Sequence, residues 1–95
     1  MDPLRVLFYD NKGQKEFELH SGKQTAVLEY TLLDNNYIDL QHTHVPENLR
    51  GKGMATILVE KVLREVDADG MRVIPSCKFV QDYLAKNPKW DYLWR

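Results

Sequence analysis

The stretch Val45-Pro46-Glu47-Asn48-Leu49-Arg50-Gly51-Lys52-Gly53-Met54-Ala55 carries the residue types that hold an anion. Two glycines stand one residue apart, Arg50 and Lys52 interleave with them, and an apolar pattern of helical period begins directly afterwards. The first-turn N–H groups of a helix have no acceptor within the helix. Together with the positive end of the helix dipole they bind phosphate oxygens. Gly51 and Gly53 have no side chain to hold a bulky anion away from that backbone, and the two cations add formal charge. The bland alternative is a turn that merely lets a helix start close to the preceding strand. The coincidence of arginine, two glycines, a strand before and an amphipathic helix after favours the anion site.

A second centre of possible chemistry is Cys77, the single cysteine, which cannot form an internal disulfide. It falls between an expected strand and an expected helix. With Ser76 as N-cap, Cys77 would be the first helical residue, where the helix dipole favours the thiolate. The competing role is that of a small packed apolar side chain. His42 and His44 are expected to share one face of a strand, with Asp39 and Gln41 on the other, if strict alternation holds. A histidine there could take a proton from an acceptor amine or from Cys77, or be a surface or satisfied core group. As a metal pair the two lack a third ligand at suitable spacing, so no metal is expected. Glu47 reads as a loop carboxylate rather than a base acting through water. Tyr83 reads as core packing rather than a general acid.

The elements that would position these groups follow from the periodicity. Leu4 to Tyr9, Lys15 to Leu19, Thr25 to Leu33 and Tyr37 to Val45 read as strands separated by short turns at Asp10–Gly13, His20–Lys23 and Asp34–Asn36. Such short connections imply an antiparallel meander. From Met54 the period changes: Ala55, Leu58, Val59, Val62, Leu63 and Val66 mark one face of a helix that Gly70 ends. Met71 to Ile74 is a fifth strand. Pro75 and Ser76 open a second helix with Phe79, Val80, Tyr83 and Leu84 as its apolar positions, and Asn87-Pro88 stops it. The aromatic tail around Trp90 and Trp94 should close the core. A strand, helix and returning strand make a crossover, so the fourth and fifth strands should run parallel. The expected fold class is α+β, a four-strand antiparallel meander followed by a β-α-β crossover and a C-terminal helix.

Ninety-five residues, 43% of them apolar and 28% charged, suit one globular domain over residues 1–95. A formal net charge of -1 provides no broad basic face, so neither nucleic acid nor a membrane surface is the expected partner. The lone thiol, together with the lack of a leader-like N-terminus or a membrane-length apolar run, points to the cytoplasm. A monomer is expected.

Two familiar phosphate loops fail here. Lys52 is followed by Gly53 rather than by Ser or Thr, and Thr56 occupies the place of the third glycine of a dinucleotide fingerprint. Arg50, Gly53 and Ala55 instead match Gln/Arg-x-x-Gly-x-Gly/Ala, and here the chain resembles the N-acetyltransferase (GNAT) superfamily, in its small single-domain branch. The likeness extends through His42-Thr43-His44-Val45-Pro46, Val73-Ile74-Pro75-Ser76-Cys77 and Asn87-Pro88-Lys89-Trp90. The resemblance implies that acetyl-coenzyme A binds through Val45, Arg50, Gly51, Lys52, Gly53, Met54 and Ala55. It also implies that the pantetheine arm lies between the splayed fourth and fifth strands. By the same resemblance Cys77 stands at a nucleophile position and His42 at the family's histidine position. Larger members have two helices between their first two strands where this chain has only Asp10 to Gly13, so the acceptor site is truncated or open. The implied activity is transfer of an acetyl group to a small-molecule or protein amine, directly or through an acetyl-cysteine. The alternatives are a non-catalytic acyl-coenzyme A-binding module and a Cys77–His42 thiol hydrolase that uses no coenzyme.

Overall fold

A computed structural model of the chain describes residues 5–95. Five strands form one sheet in the order β1 (Val6–Asn11), β2 (Glu16–Ser21), β3 (Gln24–Leu33), β4 (Tyr37–His44) and β5 (Arg72–Pro75). The first four pair antiparallel and β4 pairs parallel with β5, as the connection lengths require. Helix α1 (Met54–Ala68) is the crossover between β4 and β5, and α2 (Lys78–Lys86) follows β5. A 3-10 turn at Pro88–Leu93 carries the aromatic tail. The expected start of the first strand at Leu4 lies outside the described residues. Among those residues no helix is long and apolar enough to cross a membrane.

Alternation along the strands puts Phe17, Leu19, Ala26, Leu28, Ile38 and Leu40 on one face of the sheet, all buried. Against that face α1 buries Leu58, Val59, Val62, Leu63 and Val66, the stripe its sequence period marks. Trp90 and Leu93 close the core at 7% and 3% exposure. On the opposite face of the sheet Leu7 and Tyr9 stand exposed, and among the described residues neither helix packs there.

A polar contact ties the two helices. The Tyr83 hydroxyl of α2 donates to Glu60 Oε2 of α1 at 2.7 Å, and Arg64 and Lys89 approach the other oxygen at 2.9 and 3.6 Å. The tyrosine hydroxyl first, then Arg64, holds the Glu60 carboxyl below its ordinary range. A carboxyl depressed on folding contributes stability that is present above its unfolded value of about 4.3 and is lost as pH falls through the folded value. Tyr83→Phe should therefore cost about 1 kcal/mol at neutral pH. That cost should shrink in urea melts as pH drops below about 4. A cost that does not change with pH would exclude an ionised Glu60 as the acceptor.

Candidate active site

β4 leaves the sheet at His44, and the chain bends through Pro46 and a 3-10 turn at Glu47–Leu49. Leu49, 7% exposed, anchors this loop in the core. Its amide donates to the Pro46 carbonyl at 2.9 Å, and Gln24 Nε2 donates to Asn48 Oδ1 at 2.7 Å, tying the loop to the start of β3. Gly51 and Gly53 both have φ +78°, the left-handed region that costs a β-carbon-bearing residue energy. Gly53 is the N-cap of α1, and the first helical bond runs from the Ile57 amide to the Gly53 carbonyl at 3.0 Å. The amides of Met54, Ala55 and Thr56 precede that bond and face out of the helix end. Space beyond the glycines is open, with no atom within 4 Å of an added Cβ at either. Arg50 folds back so that Nε donates to the Val45 carbonyl at 3.1 Å, engaging one of its five N–H groups.

This turn forms one wall of a cleft of about 490 Å³, whose other walls include Thr43, His44, Val45 and Phe79. Of the expected binding residues, Val45, Arg50, Gly51, Gly53, Met54 and Ala55 line it. Lys52 does not. It is exposed beside the turn, its amide donating to the Leu49 carbonyl at 3.4 Å. Free helix-end amides, an open left-handed glycine turn and an adjacent guanidinium fit a pyrophosphate.

Cys77 differs from expectation. The helix begins at Lys78, and Cys77, rather than Ser76, is the cap residue, with extended backbone at φ -76° and ψ 127°. The reason lies in the sheet. Regular β4–β5 pairing ends at Leu40 opposite Pro75, and the Cys77 amide donates to the Leu40 carbonyl at 2.9 Å, one rung beyond. That bond holds the backbone extended. The side chain is 7% exposed, and Sγ lies 3.2 Å from Thr43 Oγ1. Thr43, which lines the cleft, is thus the residue that touches the sulfur. Nothing in the sequence pattern singles out Thr43 except its place between two histidines.

The histidines also depart from simple alternation. Glu29 pairs with His42 while its neighbour Tyr30 pairs with Leu40, so β4 carries one extra residue, a bulge at Gln41. The parity of β4 reverses there. Thr43, opposite buried Leu28, faces the helices, whereas His42 and His44, opposite Glu29 and Val27, face the uncovered side. Asp39, opposite Thr31, shares that side. Gln41 joins it through hydrogen bonds from Thr31 Oγ1 at 3.1 Å and to Asp39 Oδ2 at 3.5 Å. The expectation that Asp39 and Gln41 point away from the histidines is corrected by this bulge. His42 is exposed, and it and the Cys77 sulfur belong to opposite faces of β4, so the two do not form a thiol–imidazole pair.

The remaining candidates are plainly placed. Tyr83 is buried with its hydroxyl on Glu60, Glu47 lies in the 3-10 turn, and Trp90 is in the core. Among the described residues no group of three His, Cys, Asp or Glu side chains could hold a metal ion. Phe79 was expected on the buried stripe of α2 and is instead 37% exposed at the cleft, while Val80, Tyr83 and Leu84 are buried.

Comparison with known proteins is consistent with this geometry. The family described as GCN5-related N-acetyl-transferase matches residues 16–93. Protein NATD1 of Mus musculus is 33% identical over 93 residues, covering 98% of this chain and 84% of that protein. Protein NATD1 of Xenopus tropicalis is 33% identical over 98 residues, covering 100% and 90%. A GCN5-like protein of Staphylococcus aureus, solved by NMR in solution, superposes with a TM-score of 0.71 at 24% identity. That match covers 100% of this chain and 91% of that one.

Proposed function

Since the chain belongs to the GCN5-related N-acetyltransferase family, we propose that it binds acetyl-coenzyme A at the Arg50–Ala55 turn and transfers the acetyl group to an amine. The observation that carries this reading is the left-handed Gly53 cap, which opens the first-turn amides of α1 onto a cleft of about 490 Å³. The pyrophosphate sits against those amides, with Arg50 bracing the turn and Lys52 adding charge from outside. The acyl end reaches towards Thr43, where β4 and β5 part after Leu40 and Pro75. The lone thiol supports a reducing compartment such as the cytoplasm.

In direct transfer the amine nitrogen attacks the thioester carbonyl. A C–N bond forms, the C–S bond breaks, and the thiol of the coenzyme leaves carrying a proton. The amine surrenders a proton, for which the proposed acceptor is His42, a reading supported by its exposure on the uncovered side of β4. In the two-step route Cys77 Sγ attacks first, forms acetyl-Cys77 and releases the coenzyme thiol, after which the amine takes the acetyl group. Burial of Cys77 and the lack of an imidazole beside it favour the direct route. The same separation of Cys77 from His42 is what supports the second reading, a module that binds acyl-coenzyme A without turnover.

Titration calorimetry should show coenzyme A binding with micromolar-class affinity. No heat and no thermal shift at millimolar coenzyme would end the central reading. Intact mass after incubation with acetyl-coenzyme A should show unmodified protein, with slow alkylation of Cys77. An acetyl adduct that disappears in Cys77→Ala would establish the two-step route instead. With a panel of primary amines, binding without any acetyl-amine product would select the module.

A further inference from the structure

We propose that the pocket between the β1–β2 turn and the C-terminal end of α1 binds a free α-amino acid with an apolar side chain. The ligand's carboxylate meets Lys12 and Lys15, its ammonium meets Asp69, and its side chain fills the pocket. The site stands apart from the coenzyme reading. From Ala55 of the glycine turn to Val66 at the pocket is eleven residues of α1, about 16 Å of helical rise.

The pocket has a volume of about 150 Å³, and its floor is apolar. Phe17, Tyr30, Ile38 and Val66 line that floor and are buried. A cavity of this size with such a lining holds one benzene ring, so a benzyl or isobutyl group fits where a nucleotide does not. Leu32 also lines the pocket and is 48% exposed, a large apolar side chain that a bound one would cover. The floor is already set. The Tyr30 hydroxyl donates to Asp10 Oδ1 at 2.6 Å, which satisfies the polar atom of the ring and engages that carboxylate.

The rim carries both signs of charge. Lys12 and Lys15 belong to the turn between β1 and β2, and Asp69 is the C-cap residue of α1. All three line the pocket, and none of them forms an ion pair among the described residues. Opposite charges that border one pocket without neutralising each other suit a ligand that itself carries both. A carboxylic acid alone would leave Asp69 unmatched, and an amine alone would leave the two lysines unmatched. The turn is also anchored. The Lys15 carbonyl accepts the Tyr30 amide at 2.9 Å, and Lys15 stands at φ +55°, a conformation uncommon outside glycine. The rim cations therefore project from a fixed backbone.

The test follows backbone amide NMR shifts of the isotope-labelled protein during titration with L-phenylalanine. Saturable shifts should gather at Lys15, Tyr30, Asp69 and Met71, while Gly53 and Ala55 stay still. Half-saturation should fall on the order of 1 mM, the scale of a ligand of about a dozen heavy atoms. Glycine has both charges and no side chain, and it should give no saturable shift. Phenylpropanoate lacks the ammonium and phenylethylamine lacks the carboxylate. Each should bind about fivefold more weakly than L-phenylalanine, the scale of an exposed charge contact. Lys15 is exposed, and Lys15→Gln should weaken L-phenylalanine by a similar factor while leaving phenylethylamine unchanged. No saturable shift with L-phenylalanine at tens of millimolar would overturn the proposal. So would shifts confined to the Gly53 end of α1, or equal binding of the three phenyl ligands.

Discussion

Gly53→Val should reduce coenzyme A affinity by at least about tenfold, measured by calorimetry on folded protein. Two effects act together. At φ +78° a β-branched residue is strained by about 1–2 kcal/mol, so the cap relaxes or the helix start frays. The added side chain also projects into space that is open in the native turn, where the anion must approach the Met54, Ala55 and Thr56 amides. Gly53→Ala separates the two, since it shares the left-handed strain but adds only a methyl group. Both variants should lose several degrees of melting temperature, and valine should lose more affinity than alanine. Undiminished affinity in folded Gly53→Val would reduce the turn to a device for starting a helix.

The largest stability effect is expected at Leu58→Ala. Leu58 is fully buried in α1, one turn after the free first-turn amides, and packs in the core cluster beneath the sheet. Truncation should cost about 3 kcal/mol, combining lost burial with an unfilled cavity. In a domain of this size that lowers the melting temperature by on the order of 15 °C. Because the first turn of α1 hangs from this packing, coenzyme A should restore part of the loss, as ligands stabilise the state they bind. A cost below about 1 kcal/mol would mean that the helix is not held to the sheet through this side chain.

Much of the architecture was legible from residue types and spacing. The apolar stripe from Leu58 to Val66 has a helical period, and the observed helix buries it. The run at Asp34–Asn36 separates the strands it was expected to separate, with Asn35 and Asn36 both left-handed, whereas the first turn falls two residues later than Asp10–Gly13, at 12–15, because Asp10 and Asn11 pair with Phe17 and Glu16. The glycine pair was legible because its cause is local: a backbone conformation that only residues without a Cβ adopt freely. These features depend on a few neighbouring residues, so the chain itself specifies them.

What the tertiary structure decided depends on partners distant in sequence. The bulge at Gln41 is a mismatch between β3 and β4, visible only once Glu29 and Tyr30 are paired with His42 and Leu40. It turns Thr43 towards Cys77 and brings Asp39 and Gln41 to the histidine face. Cys77 is a cap residue rather than the first helical one because the Leu40 carbonyl, 37 positions earlier, claims its amide. Phe79 fits the helical period of α2 as well as Val80 does. Yet it stays 37% exposed because it borders the cleft beside the glycine turn, where no neighbouring element covers it. Periodicity states which side chains share a face, and only packing between elements decides whether that face is covered.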